Sequence, residues 1–155
     1  LCQRVFSFIK KNCENKIPIA NDLQEEDVKL LNNIKDNVPK LINLINNQNL
    51  NEYIKIVVKF SFEANKYFND TEPWSFKNKQ PERMKTILNT IVLQIRNISI
   101  LLNPIIPLST KKVLDTINIS DKDILISNIN NRDNLNNEKK LKSLDILFKK
   151  IENDN

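Results

Sequence analysis

PERMKTILNTIVLQIRNISILL, residues 81–102, decides the fold. Met84, Ile87, Leu88, Ile91, Ile95, Ile98 and Leu102 recur at intervals of three and four, the spacing that brings side chains onto one face of an α-helix. Pro81 suits the first turn, where its missing N–H leaves no hydrogen bond unmade. The NPIIP that follows, residues 103–107, cannot continue the helix. An apolar stripe six turns long needs partners of the same kind, and the flanking sequence supplies them.

Toward the N-terminus, Cys2, Val5, Phe6, Ile9 and Cys13 predict a first helix over residues 1–12, with Arg4, Phe8 and Lys11 on an adjacent face. Pro18 marks a connection over residues 14–20. Asn21 or Asp22 then offers an N-cap, Asp22 and Glu25 standing at capping-box spacing. Leu31, Ile34, Val38, Leu41, Ile42 and Ile45 predict a second helix, kinked or broken at Pro39. After NNQN, residues 46–49, Asn49 or Asn51 starts a third over residues 52–68. Ile54, Val57, Val58 and Phe62 line one side of it, and Tyr53, Ile56, Phe60, Ala64 and Tyr67 another. A helix apolar on two sides is expected at the centre of a bundle. Beyond the long helix, Ser109 or Thr110 caps a short fifth ending near residue 117. The Asn-rich stretch 120–137 is too polar and aperiodic for a core element, and a short helical or extended piece over residues 141–151 docks back. The fold class is all-α, a bundle of about five helices with an irregular C-terminal tail. The division is residues 1–119 for the bundle and 120–155 for the tail.

Composition narrows the function. Among 155 residues there is no glycine and no histidine. Gly-rich phosphate loops, His-activated nucleophiles and His-based metal sites are therefore excluded. Abundant asparagine, isoleucine and lysine are the mark of an AT-rich coding sequence rather than of a function. Cys2 and Cys13 are too few for a structural zinc site, and on one helix they would lie roughly 16 Å apart, beyond disulfide reach. They read as reduced thiols of a cytoplasmic protein. The net charge of +5 suits an anionic partner and equally suits plain solubility. No apolar run approaches the length of a membrane span, so no membrane partner is expected. The chain carries no catalytic set and no cofactor site of its own.

The sole tryptophan, Trp74, follows Pro73 inside NDTEPWSF, residues 69–76. One reading makes it a staple of the core, with Pro73 shaping the exit from the third helix. The other leaves the indole outside, among Asp70, Thr71 and Glu72, as a platform on which an unstacked base can lie. Pro73 would then preset the backbone and lower the cost of presenting the ring. Arg4 is open in the same way: a solvated surface arginine, or a planar fork of donors able to grip one base edge twice, which lysine cannot do. Lys10, Lys11, Lys77 and Lys79 are either solubilising charges or a phosphate-directed field around that site. Asn65 and Tyr67 read as architecture.

Five collinear segments resemble the C-terminal anticodon-binding domain of bacterial methionyl-tRNA synthetase. LCQRVFSFI opens the chain like the family's N-L-x-x-R-x-x-x-F-I helix without its asparagine. EANKYF (63–68) resembles the A-N-x-Y element, and PW (73–74) follows at the family's distance. LLNPIIPLSTKKVLDTINI (101–119) resembles the L-x-P-x-x-P segment. LFKKIE (147–152) is similar to the closing L-F-P-[RK]-[IL]-[DE], with Lys149 in place of proline. The resemblance implies that Trp74, Pro73 and Arg4 contact the CAU anticodon of the methionine-accepting tRNA. It further implies a catalytic domain upstream of Leu1, using ATP and Mg²⁺ to join methionine to tRNA and packing against this bundle. The pairing of ANKY with PW favours methionine over the isoleucine, valine and leucine enzymes. A helical scaffold using Trp74 as a protein-binding hot spot is the alternative.

Overall fold

The computed structural model describes residues 1–135 and 138–148 and is helical throughout its body. Five helices of ten or more residues are joined by one four-residue turn of helix: α1 (Cys2–Asn12), α2 (Glu25–Asn46), α3 (Leu50–Thr71), α4 (Pro73–Phe76), α5 (Pro81–Leu102) and α6 (Pro107–Thr116). Three short 3-10 turns follow, and the only pairing of extended backbone among the described residues is the isolated bridge between Lys16 and Lys140.

The long helix is the axis of the bundle. α5 packs against α1, α2, α3, α4 and α6, and it is buried continuously from Thr86 to Leu101. This corrects the expectation that α3 is central. On α3 the Tyr53, Val57, Phe60, Ala64, Tyr67 and Phe68 side chains are buried, whereas Val58 and Phe62 are exposed. An apolar second face on α3 is thus a surface, while α5 hides a polar face that its 3-4 stripe gave no reason to enclose.

That polar face is satisfied almost throughout, as burial demands. The Thr86 hydroxyl accepts from the Asn21 amide at 3.1 Å, and Asn89 Nδ2 donates to the Pro18 carbonyl at 2.8 Å. Asn97 Nδ2 donates to Asn130 Oδ1 at 2.7 Å. Arg96, almost wholly buried, donates to the carbonyls of Asn131 and Asn128. Arg132 reaches back from the tail to Asn89 and Thr90. The irregular segments 17–21 and 128–132 are therefore fastened to α5 by side chains that complete their backbone hydrogen bonds. Leu135 and Leu141 add apolar anchors beyond. No helix forms within residues 141–148, and the remainder of the LFKKIE match lies outside the described residues.

Smaller differences have local causes. α2 starts at Glu25, not after Asn21 or Asp22, because Gln24 and Asp27 form the capping box, with the Gln24 amide donating to Asp27 Oδ2 at 2.9 Å. Asn21 turns instead toward α5. α2 continues unbroken through Pro39, whose ring stands on an exposed side with Lys35, so water can serve the carbonyl left without a donor. Asn49 caps α3 by accepting from the Glu52 amide, and α6 begins at Pro107 rather than at Ser109 or Thr110. Without glycine, left-handed backbone falls to other residues: Asn15, Asn118 and Asn130 take it, the type that tolerates it best after glycine, alongside Glu14, Gln48 and Glu72.

Candidate nucleic-acid interface

Trp74 sits on a turn of helix rather than in an open loop. α3 ends at Thr71, and Glu72 takes left-handed angles, φ 40° and ψ 60°, which swing the chain into α4. Pro73 occupies the first position of α4, and the Ser75 amide and hydroxyl both donate to the Glu72 carbonyl at 2.8 Å. Pro73 and Phe76, three residues apart, share the inward face: Pro73 is buried and Phe76 packs partly against the core. Trp74 and Ser75 are left on the outward face, and Trp74 is 43% exposed. Pro73 thus shapes the presentation from beneath, its own surface covered.

The indole is not loose. Its ring meets Phe68 edge to face, centroids 5.8 Å apart and planes at 77°. Phe68 is buried at the end of α3 and also carries Arg4, whose guanidinium carbon lies 5.3 Å from the same ring centroid. Such a cation–π contact contributes about 0.5–1 kcal/mol at an exposed site. Arg4 Nη2 donates to Asn69 Oδ1 at 2.9 Å. Residues 4 and 74, on two different helices, are thereby neighbours across one phenyl ring. Arg4 is exposed and held by a neutral acceptor, which leaves its positive charge unspent. Lys10 and Lys11 close the same helix as Arg4, and Lys77 and Lys79 follow α4; all four are exposed.

The sequence singled out Arg4, Pro73 and Trp74 but passed over Phe68 and Asn69, which join them. Spacing along the chain carries no signal for that join, since α1 and the end of α3 meet only through the packing of both on α5. Tyr67 is buried and donates to Asp27, and Asn65 is half-buried. Asp27 also accepts from Arg83, whose Nη2 lies 3.0 Å from Oδ1. Burial acts to raise the Asp27 carboxyl, but the hydrogen bonds from Arg83 and Tyr67 outweigh it and hold it below the ordinary carboxylate range. Burial and the Asp27 carboxylate together push the Tyr67 phenol up. This network ties α2, α3 and α5 together.

An exposed indole and an exposed guanidinium, both seated on the Phe68 ring, are groups of the kind that stacking on and edge recognition of single-stranded nucleic acid require. Comparison with known proteins narrows that class. Residues 17–155 match the family model described as the anticodon binding domain of methionyl tRNA ligase, a span that includes Trp74 and begins after Arg4. The chain belongs to that family. Methionine–tRNA ligase of Brucella suis is 33% identical over 115 residues, covering 74% of this chain and 22% of the relative. The methionine–tRNA ligase of Methanosphaera stadtmanae is 33% identical over 116 residues, covering 75% of this chain and 17% of the relative. The chain spans about a fifth of the length of such relatives. The crystal structure of apo Mycobacterium tuberculosis methionyl-tRNA synthetase superposes with a TM-score of 0.88 at 20% identity, over 97% of this chain and 31% of that one, which confirms the all-α fold.

Proposed function

We infer that this domain reads the CAU anticodon of methionine-accepting tRNA as part of a cytoplasmic methionine–tRNA ligase. The observation that carries the inference is the pairing of exposed Arg4 and Trp74 on the Phe68 ring in a chain of this family. In the proposed complex one splayed anticodon base stacks on the indole, worth roughly 1–3 kcal/mol. Arg4 grips the acceptor edge of a base through its remaining donors, worth roughly another 1–3 kcal/mol. The exposed lysines of α1 and of the segment after α4 add salt-sensitive attraction to phosphates. A scaffold role for Trp74 is not favoured by the family to which the chain belongs.

Residues 1–119 form the RNA-facing unit in this reading, with 120–155 as its tail. The ATP and Mg²⁺ of the ligase reaction belong to a catalytic domain. This chain has no glycine from which to build a phosphate loop. Its contribution is binding and orientation: it holds the anticodon while the catalytic domain holds the acceptor end, two contacts on one RNA that raise the effective concentration of the second.

The test is aminoacylation by the full-length enzyme carrying Trp74→Ala or Arg4→Ala. Each change should lower kcat/KM for tRNA by about 5- to 150-fold, matching about 1–3 kcal/mol, while methionyl-adenylate formation stays near its original rate. Loss of both activities together, or of neither, contradicts the inference.

A further inference from the structure

We propose that Asn69 is a positioning residue for RNA reading: its carboxamide oxygen sets the orientation of the Arg4 guanidinium against Phe68, and so its relation to Trp74. This rests on the reading that Arg4 and Trp74 meet the anticodon. An arginine on the exposed face of α1 has several rotamers open to it, and a base-reading arginine has to hold one of them. Two consecutive residues of α3 restrict the choice. Phe68 offers a ring for the guanidinium to rest over, with 5.3 Å between guanidinium carbon and ring centroid. A ring contact alone leaves the guanidinium free to turn. The 2.9 Å hydrogen bond from Nη2 to Asn69 Oδ1 removes that freedom.

The neutral acceptor matters in its own right. A carboxylate there would pair with the guanidinium and cancel the charge that draws RNA, whereas the carboxamide orients it and leaves the charge intact. Because the Phe68 ring that seats Arg4 also meets Trp74 edge to face, orienting Arg4 on that ring orients it relative to the stacking platform. The two recognition elements then present one geometry to the RNA before it arrives, which lowers the ordering cost of binding.

The test is a double-mutant cycle in the full-length enzyme, with Arg4→Ala, Asn69→Ala and the pair, read as aminoacylation KM and kcat for tRNA beside methionyl-adenylate formation and Tm. Asn69 is exposed and alanine favours helix, so Asn69→Ala leaves Tm unchanged or slightly higher. N69A should raise KM for tRNA by about 3- to 10-fold, the range of one ordinary intramolecular hydrogen bond, with adenylate formation kept. In the R4A background the same change should add nothing, since an orienting group without its arginine has nothing to orient. If R4A impairs tRNA use while N69A is silent, or the two effects multiply, the positioning role is overturned and the anticodon reading stands. If R4A is itself silent, both are overturned.

Discussion

Glu72 shows how one residue can place another. With φ at 40° it occupies a region that costs a side-chain-bearing residue about 1 kcal/mol or more, and the turn it makes separates buried Pro73 from exposed Trp74. Glu72→Gly relieves that strain without altering the turn, and is expected to raise Tm by about 2–4 °C in a domain of this size. A fall in Tm on calorimetry would show that the glutamate side chain contributes more than its backbone costs. Pro73 acts from below: Pro73→Ala keeps the fold but loosens α4, so tRNA KM should rise several-fold with kcat held, as steady-state kinetics would show. The residues of this site were legible singly. Polar neighbours around Trp74 and the Pro-Trp step pointed outward, and Arg4 stood off the apolar stripe of α1. Their junction was not legible, because a contact between residues 4 and 69 depends on how two helices seat on a third.

Among the elements, α5 was readable at both ends, since Pro81 and the NPIIP stop are local signals. Its central place was not, because its polar residues look solvent-facing until the connection at 17–21 and the tail are seen to supply their partners. α3 misled in the opposite sense: Phe62 fits a helical stripe but is 72% exposed. Asp27 was missed because it serves three elements at once, capping α2, accepting from Tyr67 of α3 and pairing with Arg83 of α5. Asp27→Ala leaves buried Arg83 with only the half-exposed Glu26, 2.8 Å from Nη2, and leaves the Tyr67 hydroxyl without its acceptor, so it is expected to cost about 1–3 kcal/mol, read as a fall in denaturant midpoint. The pair of Asp27 and Arg83 predicts the acid limb of stability. The folded carboxyl lies below its unfolded value near 3.9, so its contribution is complete above about pH 4 and is lost as pH falls through the folded value. Unfolding followed from pH 7 to pH 2 should show stability falling below about pH 4, and a curve flat through that range would contradict the assignment.

Across the whole molecule, charged side chains hold the tail: Lys111 of α6 pairs with Asp121 at 2.6 Å, and Arg96 of α5 reaches backbone carbonyls. Burial pushes Arg96 down to about 10, and its guanidinium is spent on the carbonyls of Asn128 and Asn131 while its Nε has no partner. Arg96→Met retains the bulk and orphans those carbonyls, each worth about 1–3 kcal/mol when left unmade, so proteolysis within residues 121–132 should quicken while the helical core resists. Equal cleavage rates would mean that the other ties, among them Arg132 to Asn89 and Asn97 to Asn130, hold the tail without Arg96. The all-α class, the number of helices and the family resemblance were legible from periodicity and short motifs, because each is a local property. What α5 encloses, and which side chains cross from one helix to another, are properties of the assembled bundle. The measurement that tests the central claim most directly uses Trp74 as its own reporter, since no other tryptophan is present. Indole fluorescence of this domain, titrated with an anticodon stem-loop bearing CAU and with one bearing an altered anticodon, should be quenched by the first and far less by the second. An indole that responds to neither loop, or to both alike, contradicts the account.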